Sequence, residues 1–363
     1  MKKTRQKAKR VPAEDDAPRK IYFTQIDILK AFAIISVVLI HIYNNNSLLL
    51  IGAPFYLMQA VPVFLLLAAF NNGYALSVAR KIALAQCYDL SIIRRRVKRL
   101  AGPYLIVWIF QVLLVFWFLS AGIDIALQDP NHFFYNGMNW IFNLLSGASG
   151  PGHYFIPLIV QLVFVVPFFY WLALRSPDLM LVFAFVLDLV CEYIAVAAGM
   201  PQWLYGIIIV RYIFMGALGV WLVFQKRVMT RWILAGALLS ACYIFAVSYL
   251  SFQFWIFSLD PAFYHASAYF WTLFLVVLGF QYLPSDTSNR FVRILAELGK
   301  ASWHIFLVQM TVFFFFGQPL NIDSSIGSII YLAAYYLVPC LSIGYGFYRL
   351  QDYIFRPEKN PVC

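Results

Sequence analysis

The chain has 363 residues and a net charge of +11; 63% of its residues are hydrophobic and only 12% are charged. Because a soluble domain carries roughly a quarter charged residues, this composition excludes a soluble enzyme, a disordered chain and a disulfide-bonded secreted module. The cysteines form no CxxC pair and no metal-ligand spacing, so we predict neither a zinc site nor a disulfide framework.

Ten apolar segments follow one another along the chain, each near the ~20 residues that a helix needs to cross the hydrocarbon core. They cover residues 22–43, 48–76, 100–121, 153–174, 179–198, 205–225, 232–251, 266–283, 301–318 and 325–350. We predict an all-α fold, a polytopic membrane helical bundle of about ten transmembrane helices. Pro54 and Pro62 lie in the second segment, where we expect a kink or an interfacial stretch.

Basic residues fall on one side of the membrane if the ten helices alternate. That side receives 25 of the 27 lysines and arginines, the opposite loops receive none, and Lys30 and Arg211 lie inside segments. The positive-inside rule therefore makes both termini cytoplasmic. We expect a disordered basic tail over 1–20, a membrane domain over 21–350 and a cytoplasmic tail over 351–363. Topology accounts for the charge, so we predict contacts with membrane lipids and no nucleic-acid partner.

The first segment carries a polar stripe. Asp27 and Lys30 are three residues apart and can pair on one helix face, although a snorkelling pair at the interface is a competing interpretation. His41 follows Lys30 by 11 residues, which places both on one face, roughly 16 Å apart along the axis. Asn44 lies just beyond it. His41 could be interfacial only, but the stripe favours a functional role.

His153 opens the fourth segment in GPGHYFIP, at the same side of the membrane as His41. A neutral imidazole accepts a proton near neutral pH, so both histidines are candidates for acid–base chemistry. No carboxylate or cysteine joins them at metal-ligand spacing, and we predict no metal. Asp188, Glu192 and Arg211 are read as a buried structural charge network, with acceptor binding as the alternative. We interpret His304 as interfacial and assign His132 and His265 no role.

A dense basic cluster precedes the third segment. It consists of Arg94, Arg95, Arg96, Lys98 and Arg99. Topology alone explains part of it, but five positive charges in six residues also suit a polyanionic phosphate ligand.

Four sequence blocks, in order, resemble those of the acyltransferase-3 family, bacterial ten-helix membrane acyltransferases that modify cell-surface glycans. They are QIDILKAFAIISVVLIHIYN, RRVKRLAGPYL, GHYFIPLIVQL and LGKASWHIFLVQM. The second contains the Arg-x-x-Arg pair Arg96 and Arg99, followed by Pro103 and Tyr104. Two positions depart from the family pattern. Lys30 stands where Arg is usual and loses the fork geometry, and Gln309 stands where His is common and cannot shuttle a proton.

The resemblance implies an acyl-CoA co-substrate, most simply acetyl-CoA, with no tightly bound cofactor, and an acceptor hydroxyl on a cell-surface or lipid-linked glycan. It implies that Arg95, Arg96 and Arg99 bind the acyl-CoA phosphates, that Lys30 and His41 are catalytic, and that the acceptor meets His153, Tyr154 and Asn44. Asp27 and Gln309 would support the site. The implied location is the bacterial cell membrane. Two alternatives remain: a transporter or flippase of a lipid-linked glycan, and a diverged, non-catalytic partner of a glycan-assembly complex.

Overall fold

The computed structural model describes residues 22–121, 137–225, 230–257, 264–317 and 326–355. Within these ranges the chain is 82% helical and contains no strand, which confirms the all-α prediction. The predicted tail over 1–20 lies outside the described residues. The fifteen α-helices are α1 (Thr24–Ile42), α2 (Asn45–Leu50), α3 (Ala60–Val78), α4 (Leu84–Cys87), α5 (Leu90–Ser120), α6 (Gly137–Ser146), α7 (Phe155–Ala173), α8 (Pro177–Ala197), α9 (Gln202–Gly206), α10 (Ile213–Val223), α11 (Arg231–Tyr249), α12 (Tyr269–Tyr282), α13 (Arg290–Lys300), α14 (Ser302–Phe316) and α15 (Ile326–Phe355).

Each of the ten predicted segments overlaps a helix. In the described part of the chain, seven helical stretches are long and apolar enough to cross a membrane, and α13 with α14 makes an eighth if the bent pair counts as one span. The sixth and eighth segments correspond to shorter apolar stretches, Ile209–Val223 and Ala266–Tyr282. The chain is therefore a multi-pass membrane protein. α15 continues to Phe355, so the first five residues of the predicted tail over 351–363 extend this helix.

The break expected in the second segment is present. α2 ends at Leu50, Gly52 adopts φ +74°, and a short 3-10 helix over Ala53–Phe55 carries Pro54 before α3 begins at Ala60. Glycine reaches this left-handed conformation without the steric cost that a Cβ adds. The apolar run is thus divided into a short helix, a turn and the α3 span.

The third span begins earlier than predicted. α5 starts at Leu90, where Asp89 Oδ1 accepts a hydrogen bond from the Ser91 amide at 2.9 Å. Arginine and lysine are good helix formers, so the capped helix extends through the basic cluster instead of leaving it in a loop. The cluster consequently lies on the rigid continuation of a membrane helix.

The ninth predicted segment corresponds to α14, and α13 directly precedes it. The two helices meet at Ala301 with a bend of 65°. Gly299, near the end of α13, lies directly against α1, because a Cβ built on it would come within 1.7 Å of the Asp27 carbonyl oxygen. Only a glycine allows two backbones to approach so closely. This contact brings the α13–α14 junction to the end of the bundle that holds the Arg94–Arg99 cluster, which we call the basic end.

α3 and α10 form the centre of the bundle. A Cβ on Gly219 of α10 would lie 2.4 Å from the Leu66 carbonyl oxygen of α3, so these helices also meet backbone to backbone. The most apolar window of the α3 stretch is 72% buried, whereas those of α11 and α15 are 22% and 17% buried. α11 and α15 therefore lie at the periphery and present their large apolar side chains to lipid.

Candidate functional site

A cavity of about 270 Å³ opens at the basic end of the bundle. Side chains from α1, α3, α5, α7 and the α13–α14 junction line it, so five parts of the chain distant in sequence contribute. The lining residues are Lys30, Phe64, Ala68, Asn71, Asn72, Arg96, Arg99, Leu100, Phe155, Ile159, Val163, Gly299, Lys300, Ser302, Trp303 and Phe306.

Four of these lining residues are cations, and none of them is acidic. Arg96 is partly buried and donates from Nη2 to the Asn72 carbonyl oxygen at 3.2 Å. Lys300 Nζ lies 2.8 Å from Glu297 Oε1, with both side chains about one-third exposed. Cations gathered at a low-dielectric wall raise the local concentration of anions. The cavity can therefore bind an anionic ligand.

The rest of the lining is mainly apolar and aromatic. Phe155, Ile159 and Val163 present one face of α7 to the cavity. Trp303 donates from Nε1 to the Leu100 carbonyl oxygen at 3.2 Å and stacks on Phe306 with ring centroids 5.8 Å apart. These contacts fix the two rings. The cavity thus suits a ligand with a phosphate-like end and an apolar end.

Three residues predicted from sequence meet in this cavity: Lys30 from α1, and Arg96 and Arg99 from α5. Lys30 Nζ also lies 3.6 Å from Asp27 Oδ1, which confirms the predicted pairing of the two. Arg95 is exposed and does not belong to the lining. Its contact with a phosphate stays a prediction.

Sequence reasoning missed four polar contributors to the lining. Asn71 and Asn72 lie on α3, and Lys300 and Ser302 lie on either side of the α13–α14 bend. The charge of Lys300 was counted only toward topology. The small residues on both sides of it, Gly299 before and Ala301 and Ser302 after, were the signal that a helix could break and pack closely there.

His41 lies farther along α1 and is not part of the cavity lining. Its partly buried ring meets the edge of Phe313 on α14, with centroids 5.8 Å apart. Phe313 is seven residues, or about two helical turns, beyond the cavity residue Phe306. Asn44 is exposed and accepts a hydrogen bond from the Ser47 amide at 2.8 Å, so its side chain caps α2.

His153 directly follows a glycine-rich segment, residues 147–152. This segment packs between α5 and α14. Its Nδ1 lies 3.0 Å from the Ser146 carbonyl oxygen. A Cβ on Gly150 would come within 2.3 Å of the Met310 carbonyl oxygen, and Gln309 donates from Nε2 to Pro151 at 3.1 Å. Gln309, in the position where the family resemblance leads us to expect histidine, thus fastens this segment to α14. His153 is held two residues before the cavity residue Phe155.

A second polar cluster lies beyond Tyr154. The Tyr154 hydroxyl donates to the Tyr264 hydroxyl at 3.1 Å. Next to Tyr264, His265 is fully buried, and its Nδ1 lies 3.0 Å from Glu192 Oε1. The other Glu192 oxygen accepts a hydrogen bond from Tyr205 at 2.8 Å.

Asp188 and Arg211 share this interior. Asp188 accepts a hydrogen bond from the Phe214 amide at 3.1 Å, and the Arg211 guanidinium lies 5.6 Å from the Tyr205 ring centroid. Glu192, Asp188 and Arg211 are each 1% exposed. The predicted buried network is therefore present. It also contains His265, which lies 73 positions after Glu192 and to which the sequence assigned no role.

His304, interpreted from the sequence as interfacial, is buried between helices and is not exposed on the surface of the bundle. It is 8% exposed, and its Nε2 is hydrogen-bonded to the side chain of Gln351. Its ring meets the edges of Phe347 and Tyr348 on α15. His304 therefore joins α14 to α15.

A family model described as an acyltransferase domain matches residues 23–347. The match includes every lining residue of the cavity, His41, His153 and the second polar cluster. Comparisons with curated proteins and with solved structures found no significant match.

Proposed function

The chain belongs to the acyltransferase-3 family, and on that premise we propose that it transfers an acyl group from acyl-CoA to a hydroxyl of a cell-surface or lipid-linked glycan. We further propose that it does so in a bacterial cell membrane, with the basic end facing the cytoplasm, where acyl-CoA is made. Acetyl-CoA is the simplest donor.

One observation carries the donor assignment: Lys30, Arg96 and Arg99 meet in a cavity whose remaining lining is mainly apolar and aromatic. Coenzyme A carries phosphates at one end and an acylated pantetheine arm at the other. Arginine recognises phosphate through paired N–H donors. The cationic part of the cavity fits the phosphates, and the face of α7 fits the arm.

The reaction needs a base for the acceptor. The hydroxyl oxygen bonds to the acyl carbon, the thioester carbon–sulfur bond breaks, and the hydroxyl proton passes through His41 to the departing thiolate. The products are an ester and coenzyme A. His41 could instead carry the acyl group itself before the acceptor takes it. In either case the donor's acyl end must extend past Lys30, because roughly 16 Å of helix separates Lys30 from His41.

The acceptor would approach from the His41 end. His153, which is fixed by Ser146, would orient the glycan hydroxyl, since it lies in a structured segment close to the apolar wall. Support for a glycan acceptor comes from the family resemblance and from the polar residues at this end of α1.

The experiment has two arms. Surface glycan from a deletion strain, complemented with wild type or with Arg96→Gln/Arg99→Gln, is analysed for O-acyl groups by mass spectrometry. In parallel, coenzyme A binding is measured by calorimetry on the purified protein in nanodiscs. We expect the double variant to restore no O-acylation and to bind coenzyme A at least tenfold more weakly.

Arg94→Gln is the matched control. Arg94 lies on the same helix turn, is exposed, and does not line the cavity. The Arg94→Gln substitution removes a topogenic charge without changing the proposed donor site. The variant should therefore insert into the membrane, bind coenzyme A and transfer the acyl group as wild type does. Unchanged O-acylation in the deletion strain would refute the proposed function.

A further inference from the structure

We propose that Lys300 and Ser302, on either side of the α13–α14 bend, bind the donor's phosphates together with Arg96 and Arg99. This inference deepens the proposed function. It assigns the junction of a broken helix to the same ligand and makes the phosphate site a bridge between α5 and the α13–α14 pair.

Ser302 provides the first argument. It is only 7% exposed, yet it lines the cavity. Within the described part of the chain its hydroxyl has no hydrogen-bond partner. Its oxygen is accessible from the cavity, so the hydroxyl is free to donate to a ligand there. A phosphate oxygen in the cavity would accept that hydrogen bond.

The start of α14 provides the second argument. α14 begins at Ser302 after the bend, and Ser302 and Trp303 of its first turn face the cavity. The first amides of a helix lack acceptors within that helix, and the helix dipole places partial positive charge there. An anion beside Ser302 would meet both the amides and the hydroxyl.

Lys300 provides the third argument. It lines the cavity, and its ammonium donates one hydrogen bond to Glu297 Oε1 at 2.8 Å. Two protons remain for a ligand. The contact between Gly299 and the Asp27 backbone holds α13, and with it Lys300, beside the part of α1 that carries Lys30. The four cations of the lining thus come from α5, α1 and α13.

The chemical group that this site would recognise is a phosphate carried by a larger ligand. A phospholipid headgroup has the same chemistry as the nucleotide phosphates, and we assign the site to the nucleotide because the aromatic wall suits the pantetheine arm. The test therefore compares coenzyme A, 3′-dephospho-coenzyme A and pantetheine as probes, in nanodiscs made with and without anionic lipid.

We expect Lys300→Gln and Ser302→Ala each to weaken coenzyme A binding about tenfold, and the double variant about a hundredfold. Pantetheine, which has no phosphate, should bind the variants and wild type equally. If coenzyme A loses affinity and 3′-dephospho-coenzyme A does not, the two residues bind the 3′-phosphate; if both lose it, they bind the diphosphate.

Arg290→Gln is the matched control, because Arg290 begins the same helix α13, does not line the cavity, and carries the same charge. It should leave coenzyme A binding unchanged. The ligand-free melting temperature of each variant reports whether the fold is intact.

The inference fails if wild type binds coenzyme A and the folded double variant binds it equally well. It also fails if anionic lipid, rather than coenzyme A, is the ligand whose binding depends on the two residues. If wild type does not bind coenzyme A at all, the donor assignment under the proposed function fails first. The two failures are therefore distinguishable.

Discussion

Lys30 Nζ lies 3.6 Å from Asp27 Oδ1 one turn earlier on α1, while the lysine side chain forms part of the cavity wall. Asp27 is 6% exposed and also accepts a hydrogen bond from the Tyr22 hydroxyl. The carboxylate partly compensates the lysine charge while the lysine remains part of the cavity lining. A cation held in this way can bind a phosphate of the donor.

Replacing Lys30 tests this arrangement. Lys30→Leu should weaken coenzyme A binding about tenfold and slow transfer at limiting acyl-CoA to match, because the cavity then loses one of its charged donors to phosphate. Lys30→Arg keeps the charge and should retain activity. Single-turnover transfer in nanodiscs is the measurement. Full activity of Lys30→Leu would show that Lys30 is only an anchor at the membrane interface.

His41 and His153 should separate by kinetics. His41→Ala should bind coenzyme A normally and lose transfer by about 10²–10⁴-fold, the usual contribution of a positioned general base. His153→Ala should mainly raise the KM for the acceptor, since its ring is held by the Ser146 carbonyl in a structured segment. The assay is O-acylation at varied acceptor concentration. Near-normal turnover by His41→Ala would show that His41 is not the general base.

Part of this site follows from the sequence. Helical periodicity predicts that Lys30 shares one face with Asp27. The resemblance of the Arg-x-x-Arg spacing to the family block predicts that Arg96 and Arg99 belong to the donor site. Local spacing is enough to predict such residues as members of the site. The contacts between helices are known only from the structure.

Other residues depend on tertiary contacts that spacing does not encode. Lys300 and Ser302 reach the cavity only because Gly299 lets α13 approach the α1 backbone and because the helix breaks at Ala301. His265 reaches Glu192 from a segment far along the chain. Single-sequence reasoning treats each segment alone, so neither arrangement was predicted.

The Gly299 contact can be tested by adding one methyl group. Gly299→Ala would place a Cβ 1.7 Å from the Asp27 carbonyl oxygen, so α13 must move away from α1. Overpacking of this kind costs about 1–3 kcal/mol, and Lys300 should leave the cavity lining. We expect a lower melting temperature and weaker coenzyme A binding.

Gly102→Ala provides the comparison, because nothing lies within 4 Å of a Cβ built on Gly102 in the neighbouring α5 helix. That variant should match wild type or be slightly more stable, since alanine favours helix by about 1 kcal/mol over glycine. Equal behaviour of the two variants would contradict the close packing of α13 on α1.

Glu297 competes with the ligand for Lys300. Glu297 Oε1 and Lys300 Nζ are 2.8 Å apart, and removing the carboxylate frees the ammonium for a phosphate. Glu297→Gln should therefore tighten coenzyme A binding by a few-fold, and only when Lys300 is present. A double-mutant cycle with Lys300→Gln measures the coupling by calorimetry. An equal gain in the Lys300→Gln background would show that Glu297 acts through general charge instead.

The pair of Glu192 and His265 should determine stability rather than donor binding. Both side chains are buried, 3.0 Å apart, and neither lines the cavity. His265→Leu leaves the Glu192 carboxylate with the Tyr205 hydroxyl as its remaining close hydrogen-bond donor, and breaking a buried pair in this way costs about 3–5 kcal/mol. We expect a large drop in melting temperature with unchanged coenzyme A affinity in the protein that still folds.

Replacing both residues by leucine should recover much of that loss, because no partner charge is then left uncompensated. If His265→Leu instead melts like wild type and loses only its use of the acceptor, the cluster beyond Tyr154 belongs to the acceptor site.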